Sequence, residues 1–310
     1  MKMRILFAVT AMLSISSMAF ADEVDSRFQK ARKYMNDNNL AITTTAEQAF
    51  VQDAILVMGE GVGKKGAEKG QKRLTAITAA KVVAQRRLVE MLEGVAVVSE
   101  TTVKDSELAS DVIKTAVTGF VKGAQVVMQD WNEKEETALV IMKVGVSGPK
   151  SFSALMYEKI LSDPKIKKEL EKPAYVPPPD IPAAAPAPAA APVPAAAGPY
   201  DGLIIDAIGY SFRPALINRI FNPKGEVLYD PAKISQKVLV EQGCGEYTNS
   251  VDKAKAALGK RGVKNPLVIK ASGTISPSDL QVNDDTAVKI FSANQASGFM
   301  ADARVAFVLK

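Results

Sequence analysis

Histidine is absent from the 310 residues. That removes Ser-His-Asp and Cys-His nucleophiles and any histidine-held metal. The chain has one cysteine, Cys244, so no intrachain disulfide can form. Between Gly243 and Gly245 it reads as a buried, inert thiol rather than a reactive or intermolecular one. The carboxylate pairs Glu135-Glu136 and Asp284-Asp285 fall in runs that read as polar turns. Neither is driven there toward the raised pKa that acid–base work needs. Asp284-Asp285 also lacks the spacing of a dedicated calcium loop. No catalytic, cofactor-binding or metal-ligating residues are expected.

Two further features could do chemistry. The first is Gly61-x-Gly63-x-x-Gly66, after a predicted strand at Ala54 to Met58 and before a predicted helix. Such glycines let a backbone approach a pyrophosphate. Here Lys64, Lys65, Lys69, Lys72 and Arg73 make a long basic loop instead of a tight turn. No acidic residue ends a second strand about 20 residues on, as the fingerprint requires. The run is therefore read as a flexible glycine-lysine loop without a nucleotide. The second feature is Asp206 with Arg213. A carboxylate and a guanidinium at a strand end could contact a ligand or partner, or could pair to fix the loop between them.

The elements that must position these groups follow from periodicity. In Lys72 to Gly94, Ile77, Ala80, Ala84, Leu88 and Met91 recur at three- and four-residue steps and line one helical face. Ala76, Ala79 and Ala80 are small enough to bring that helix close to a sheet. Gly94 supplies the stop. Val95 to Val98 reads as a short strand and Asp111 to Val121 as a helix. Val126 to Trp131 and Ala138 to Val146 read as a hairpin around the turn Lys134-Glu135-Glu136. Upstream, Val24, Phe28, Ala31 and Met35 share one helical face. Ser151 to Leu161 reads as a helix, and Lys165 to Lys172 as a charged tail.

Some of these residues carry a resemblance. The helix closing on Leu92-Glu93-Gly94-Val95, then Thr101 to Ser106, then Gly119-Phe120-Val121-Lys122-Gly123-Ala124, resembles the bacterial LPP-twenty lipoprotein family. The same pattern is similar to the N-terminal domain of flagellar assembly protein T. The resemblance covers roughly Gln48 to Val146. It implies an envelope protein with an α/β domain, without known enzymatic activity, and in some members a role in flagellar or surface structures. Tyr200 to Ala207, Arg213-Pro214-Ala215-Leu216, Asn265 to Ala271 and Ala303-Arg304-Val305 are similar to the C-terminal region of longer members.

Met1 to Ala21 has a basic start at Lys2 and Arg4, an apolar run over Ile5 to Ile15, and the small-x-small site Ala19-Phe20-Ala21. It is read as a signal peptide cleaved before Asp22. The run is shorter than the about 20 residues a membrane span needs. No cysteine follows the site, so a lipid anchor is not expected, unlike the lipoproteins of that family. The formal charge is +5, and losing Lys2 and Arg4 leaves 5 − 2 = +3. That is too weak to argue for nucleic acid, and no basic-aromatic cluster occurs.

Pro173 to Pro199 is almost all proline and alanine and cannot build a core. As a semi-extended polyproline-type spacer, it would span at most about 80 Å. After it, Leu203 to Ala207, Leu216 to Phe221, Glu226 to Tyr229, Leu267 to Ala271 and Ala303 to Val308 read as strands, and Ser250 to Leu258 as a helix. Thr286 to Ala293 is mixed. The expectation is an α+β chain: signal peptide 1–21, an N-terminal α+β domain 22–172, a Pro/Ala-rich linker 173–199 and a C-terminal α+β domain 200–310. Each domain would pack helices on a mostly antiparallel sheet and fold alone, with the linker as spacer.

The functional expectation is a non-enzymatic periplasmic structural or assembly protein, linked to flagellar or surface machinery through its resemblance. It would have protein partners in the envelope, no cofactor, no nucleic acid and no membrane span in the mature chain. Oligomerisation is compatible with it. The alternative is an exported binding module that takes a small ligand or glycan through the C-terminal domain.

Overall fold

A computed structural model describes residues 24–177 and 199–310. The expected signal peptide, and the Pro/Ala run from residue 178 to 198, lie outside the described residues.

The elements up to the Pro/Ala run are α1 Gln29–Asp37, α2 Ala46–Gln52, β1 Ala54–Val62, α3 Lys69–Glu93, β2 Ala96–Val98, β3 Thr101–Thr102, α4 Val103–Ala109, α5 Asp111–Lys122, β4 Gln125–Asn132, β5 Thr137–Gly145, α6 Phe152–Ile160 and α7 Pro164–Leu170. After it come β6 Gly202–Asp206, β7 Arg219–Phe221, β8 Val227–Tyr229, α8 Gln236–Gln242, β9 Glu246–Thr248, α9 Val251–Lys260, β10 Pro266–Lys270, β11 Gly273–Ser276, β12 Asp279–Gln281, α10 Asp284–Ser297 and β13 Val305–Val308. The chain is α+β, as its sequence suggests.

Two compact units result. The smaller comprises the described residues up to Thr45 with Ala54–Met91 and Thr118–Val144. The larger comprises Ala46–Asp53, Leu92–Val117 and Gly145–Lys310. This division departs from the expected boundary at 173–199. Residues on both sides of the Pro/Ala run belong to one unit, so the run does not separate two independent cores. The reason is packing between distant segments. Leu216 and Ile217 donate main-chain hydrogen bonds to the carbonyls of Ala96 and Val97, both at 2.9 Å. Phe50 meets the edge of Tyr247, with ring centroids 5.2 Å apart. The Tyr157 hydroxyl donates to the Leu216 carbonyl at 2.8 Å.

In the smaller unit the sheet order is β1-β5-β4, with β4 and β5 antiparallel as a hairpin. Helix α1 packs its predicted face, Phe28, Ala31 and Met35, on Leu56, Leu139 and Ile141. Phe28 stands at the N-cap position of α1 and has no side chain for capping. Asp130 of β4 substitutes: its Oδ2 accepts from the main-chain N–H groups of Lys30 and Ala31 at 3.0 and 3.1 Å. Such a cap contributes about 1 kcal/mol.

The first part of the glycine-rich stretch is strand rather than loop. β1 continues through Gly59-Glu60-Gly61-Val62. Alternation along a strand puts Gly59, Gly61 and Gly63 on one side, and all three are buried while Glu60 and Val62 are exposed. That side lies on α3. A β-carbon on Gly59 would come within 2.2 Å of the Ala80 oxygen and 2.4 Å of the Ala84 nitrogen. One on Gly61 would meet the Ala76 oxygen at 2.3 Å and the Ala80 nitrogen at 2.5 Å. Two strand residues advance about 6.6 Å and four helix residues about 6.0 Å, so the two ladders stay in step. The buried stripe of α3 is accordingly Ala76, Ala80, Ala84 and Leu88, while Ile77 and Met91 lie at its margin. The glycines serve helix–strand approach, and helix backbone fills the space a pyrophosphate would need.

The larger unit carries two four-stranded sheets. The first, in the order β10-β6-β13-β9, is parallel throughout. This corrects the expectation of a mostly antiparallel C-terminal sheet. Leu203, Ile204 and Ile205 are all fully buried, as are Val305, Ala306, Phe307 and Val308. Burial on both faces is the habit of parallel strands. On one face, Ala254 and Leu258 of α9 pack on Ile204, Ala306 and Val308. The second sheet runs β11-β12-β7-β8, with β12 and β7 parallel and its outer pairs antiparallel. Asn283 caps α10 by accepting from the Thr286 N–H at 2.9 Å. Asp284 and Asp285 lie in the first turn of that helix rather than in a loop, where acids favour the positive end of the dipole. Lys165 to Lys172, expected as a tail, is largely α7, which buries Ile166 and Leu170.

Candidate functional site

Asp206 ends β6 at the carboxyl edge of the parallel sheet. Its neighbours in register are Lys270 of β10 and Val308 of β13. Its Oδ1 accepts from the Ile208 N–H at 3.0 Å, which shapes the following turn. Arg213 donates its main-chain N–H to the Pro277 carbonyl at 2.8 Å, and its carbonyl accepts from Asn218 Nδ2 at 3.2 Å. Its side-chain Nε is buried without a hydrogen-bond partner. No ion pair joins Asp206 to Arg213 among the described residues, so the expected strand-end pair does not form. The exposed loop between them presents Ile208 and Tyr210.

A fully buried ion pair of this unit lies elsewhere. Arg219 of β7 stands in register with Asp279 of β12. Its Nε donates to Oδ1 at 3.0 Å and its Nη2 to Oδ2 at 2.8 Å. Both side chains are 2% exposed. The same Nη2 donates to Ser99 Oγ at 2.7 Å, and the hydroxyls of Ser99 and Ser276 donate to Asp279 Oδ2 at 2.9 and 2.8 Å. Ser278 Oγ reaches the Ser99 carbonyl at 3.0 Å. Three separated stretches meet on one carboxylate. One signal in the sequence pointed here: Arg219 is a lone charge inside the apolar run Leu216 to Phe221.

A second buried cluster surrounds Cys244. Its sulfur lies 3.0 Å from the Tyr247 hydroxyl, which donates to Asn218 Oδ1 at 2.6 Å. The Tyr229 hydroxyl donates to the Cys244 carbonyl at 2.6 Å. Burial pushes the Cys244 thiol above its ordinary value and the Tyr157, Tyr229 and Tyr247 phenols well above theirs. The thiol is the buried one its sequence context suggested. Because the thiolate is the reacting species, native Cys244 is expected to resist an aromatic disulfide reagent and to react stoichiometrically once the chain is denatured. Rapid labelling of the native protein would contradict this placement.

A cavity of about 320 Å³ lies beside the edge strand β8. Pro173 to Tyr175 runs along that edge. The Val227 N–H donates to the Pro173 carbonyl at 2.8 Å, and the Tyr175 N–H to the Val227 carbonyl at 3.0 Å. Tyr175 then meets the edge of Phe291 from α10, with centroids 5.6 Å apart. Val227, Ile234 and Met300 line the cavity with them, and Asp230, Lys233 and Asn294 bring polar groups. Asp230 is 9% exposed. Its Oδ1 accepts from the Ala232 N–H at 3.1 Å, and Lys233 Nζ lies 3.7 Å from Oδ2. Burial pushes the Asp230 carboxyl above its ordinary value.

No group of three or more Cys, Asp or Glu residues arranged to hold a metal lies among the described residues. None of their helices is long and apolar enough to cross a membrane.

Against known proteins, residues 202–310 match the family model described as Treponema pallidum Tp0624, second domain. The match spans β6 to β13, and so includes both four-stranded sheets of the larger unit, Asp206, Arg213 and Asp230. No curated protein matches the chain.

Proposed function

We propose that the chain is a non-enzymatic exported protein of the bacterial envelope, acting as a structural or assembly part. The observation that carries this reading is how the larger unit uses its buried polar groups. Arg219, Asp279, Cys244 and the three tyrosines are bonded to one another or to main-chain carbonyls from remote stretches. Groups held this way fix a shape. The export part of the proposal rests on Met1 to Ala21, and the envelope part on the resemblance carried by Gln48 to Val146. A role near flagellar or surface machinery is part of the same proposal.

The test follows a tagged full-length chain through cell fractionation, N-terminal sequencing and crosslinking in living cells. The expected result is a mature chain beginning at Asp22, in the periplasmic fraction, crosslinked to envelope proteins. An intact Met1 in the cytoplasm would overturn the proposal.

A second reading, a binding module for a small ligand, is favoured by the cavity beside β8. It places the ligand away from Asp206 and Arg213.

A further inference from the structure

The cavity beside β8 has an apolar body and a few polar groups. Its walls are Val227, Ile234, Phe291 and Met300, with Tyr175 covering one side. Asp230 is the one carboxylate in the lining. Burial pushes the Tyr175 phenol above its ordinary value, and the carboxylates of Asp284 and Glu226, outside the lining, add to that. Beside Asp230 the lining supplies one cation, Lys233, whose side chain is 58% exposed and stands 3.7 Å from it. Arg219 also acts on Asp230, from within its own buried pair with Asp279.

A carboxylate in such a wall is short of partners. Oδ1 has the Ala232 N–H at 3.1 Å, while Lys233 Nζ stands 3.7 Å from Oδ2. Charge-assisted hydrogen bonds are the strong ones at about 2.8 Å, so a cation brought to Oδ2 gains more than the lysine does at its present distance. A volume of about 320 Å³ is at the lower end of ligand cavities. It suits a single ring or a branched alkyl group.

We propose that this cavity binds a small organic cation, an aryl or branched-alkyl body carrying one protonated amine, with the ammonium on Asp230 in place of Lys233. The body lies between Tyr175, Phe291 and Met300. This rests on the small-ligand reading above and adds the charge and the shape of the ligand. Burial raises the Asp230 carboxyl, and a bound cation would act the other way, favouring its ionised form.

The test uses the full-length mature chain and three probes that share one ring: 2-phenylethylamine, 2-phenylethanol and 3-phenylpropionate. Titration calorimetry at neutral pH should find the amine bound at least tenfold more tightly than the other two. Asp230→Asn, which keeps an acceptor for the Ala232 N–H, should weaken the amine at least tenfold and leave the alcohol unchanged. Lys233→Gln removes the competing ammonium and should tighten the amine several-fold. Because Lys233 is mostly exposed, that variant stays decisive if Asp230→Asn fails to fold. Alcohol or acid binding as tight as the amine would overturn the ligand class while leaving the cavity a binding site. No binding by any probe, or amine binding indifferent to both substitutions, would overturn the class and the small-ligand reading together.

Discussion

Replacing Asp279 by alanine is expected to cost the larger unit about 3–5 kcal/mol, the range for breaking a buried ion pair by removing one partner. The carboxylate accepts from Arg219 twice, from Ser99 and from Ser276, at 2.8 to 3.0 Å. Its loss takes from a guanidinium 2% exposed the carboxylate that accepts two of its hydrogen bonds. The cost arises from that stranded charge rather than from the attraction itself. Replacing both partners, Arg219→Met with Asp279→Leu, should therefore recover most of the loss. Denaturant melts of the two single variants and the double variant decide the matter. Equal costs for single and double changes would mean that the pair supplies its own stability. A cost below about 1 kcal/mol for Asp279→Ala would place the pair among surface bridges.

Gly61→Val is expected to be comparably damaging to the smaller unit. A β-carbon there falls 2.3 Å from the Ala76 oxygen and 2.5 Å from the Ala80 nitrogen. Those are helix backbone atoms, which no rotamer change can move aside. Overpacking typically costs about 1–3 kcal/mol and sometimes more, and a branched side chain facing backbone belongs at the top of that range. Gly70→Ala is the matched control. Gly70 lies in α3 with nothing within 4 Å of an added β-carbon, so alanine there should gain roughly 0.5–1 kcal/mol from helix propensity. Opposite signs for the two substitutions test the helix–strand interlock. Tolerance of both would return the glycines to a loosely held loop.

The contrast between these glycines shows what the sequence could and could not convey. Helix α3 was legible because alanines and leucines recur at helical steps. The strand Gly59-Glu60-Gly61-Val62 was not, because buried glycines carry no apolar side chain, so alternation cannot be seen. Their meaning depends on Ala76, Ala80 and Ala84, in another element. The C-terminal strands Leu203 to Asp206 and Val305 to Val308 stood out as apolar runs. Strand direction did not, since it depends on which remote strand lies alongside. Other signals were present and unused. Thr102 with Asp105 is a capping box for α4, and Asn283-Asp284-Asp285 opens α10 as a cap with acids in the first turn.

Asp206 and Arg213 drew notice because both flank a loop, where exposed charge suggests contact. The charges that hold the fold, Arg219 and Asp279, are 60 positions apart in the chain. No spacing rule joins them. The cavity was equally hidden, since its wall combines Tyr175 with Asp230 and Phe291 from three separate stretches. The Pro/Ala run was the plainest feature of the chain. Its composition marks where a core cannot form, but not which core its ends rejoin.

That last point is the central structural claim: the larger unit is built from both sides of the Pro/Ala run. Its direct measurement is a cut. A protease site placed between Ala190 and Ala191 of the mature chain would be cleaved to completion and the product passed over a sizing column without denaturant. Two pieces that travel together, and part only when denaturant is added, are the expected result, because Ala96, Ser99 and Tyr157 on one piece bond Leu216, Arg219 and Asp279 on the other. Two pieces that separate at once and remain folded would contradict it, and would return the run to the part of a spacer between independent domains.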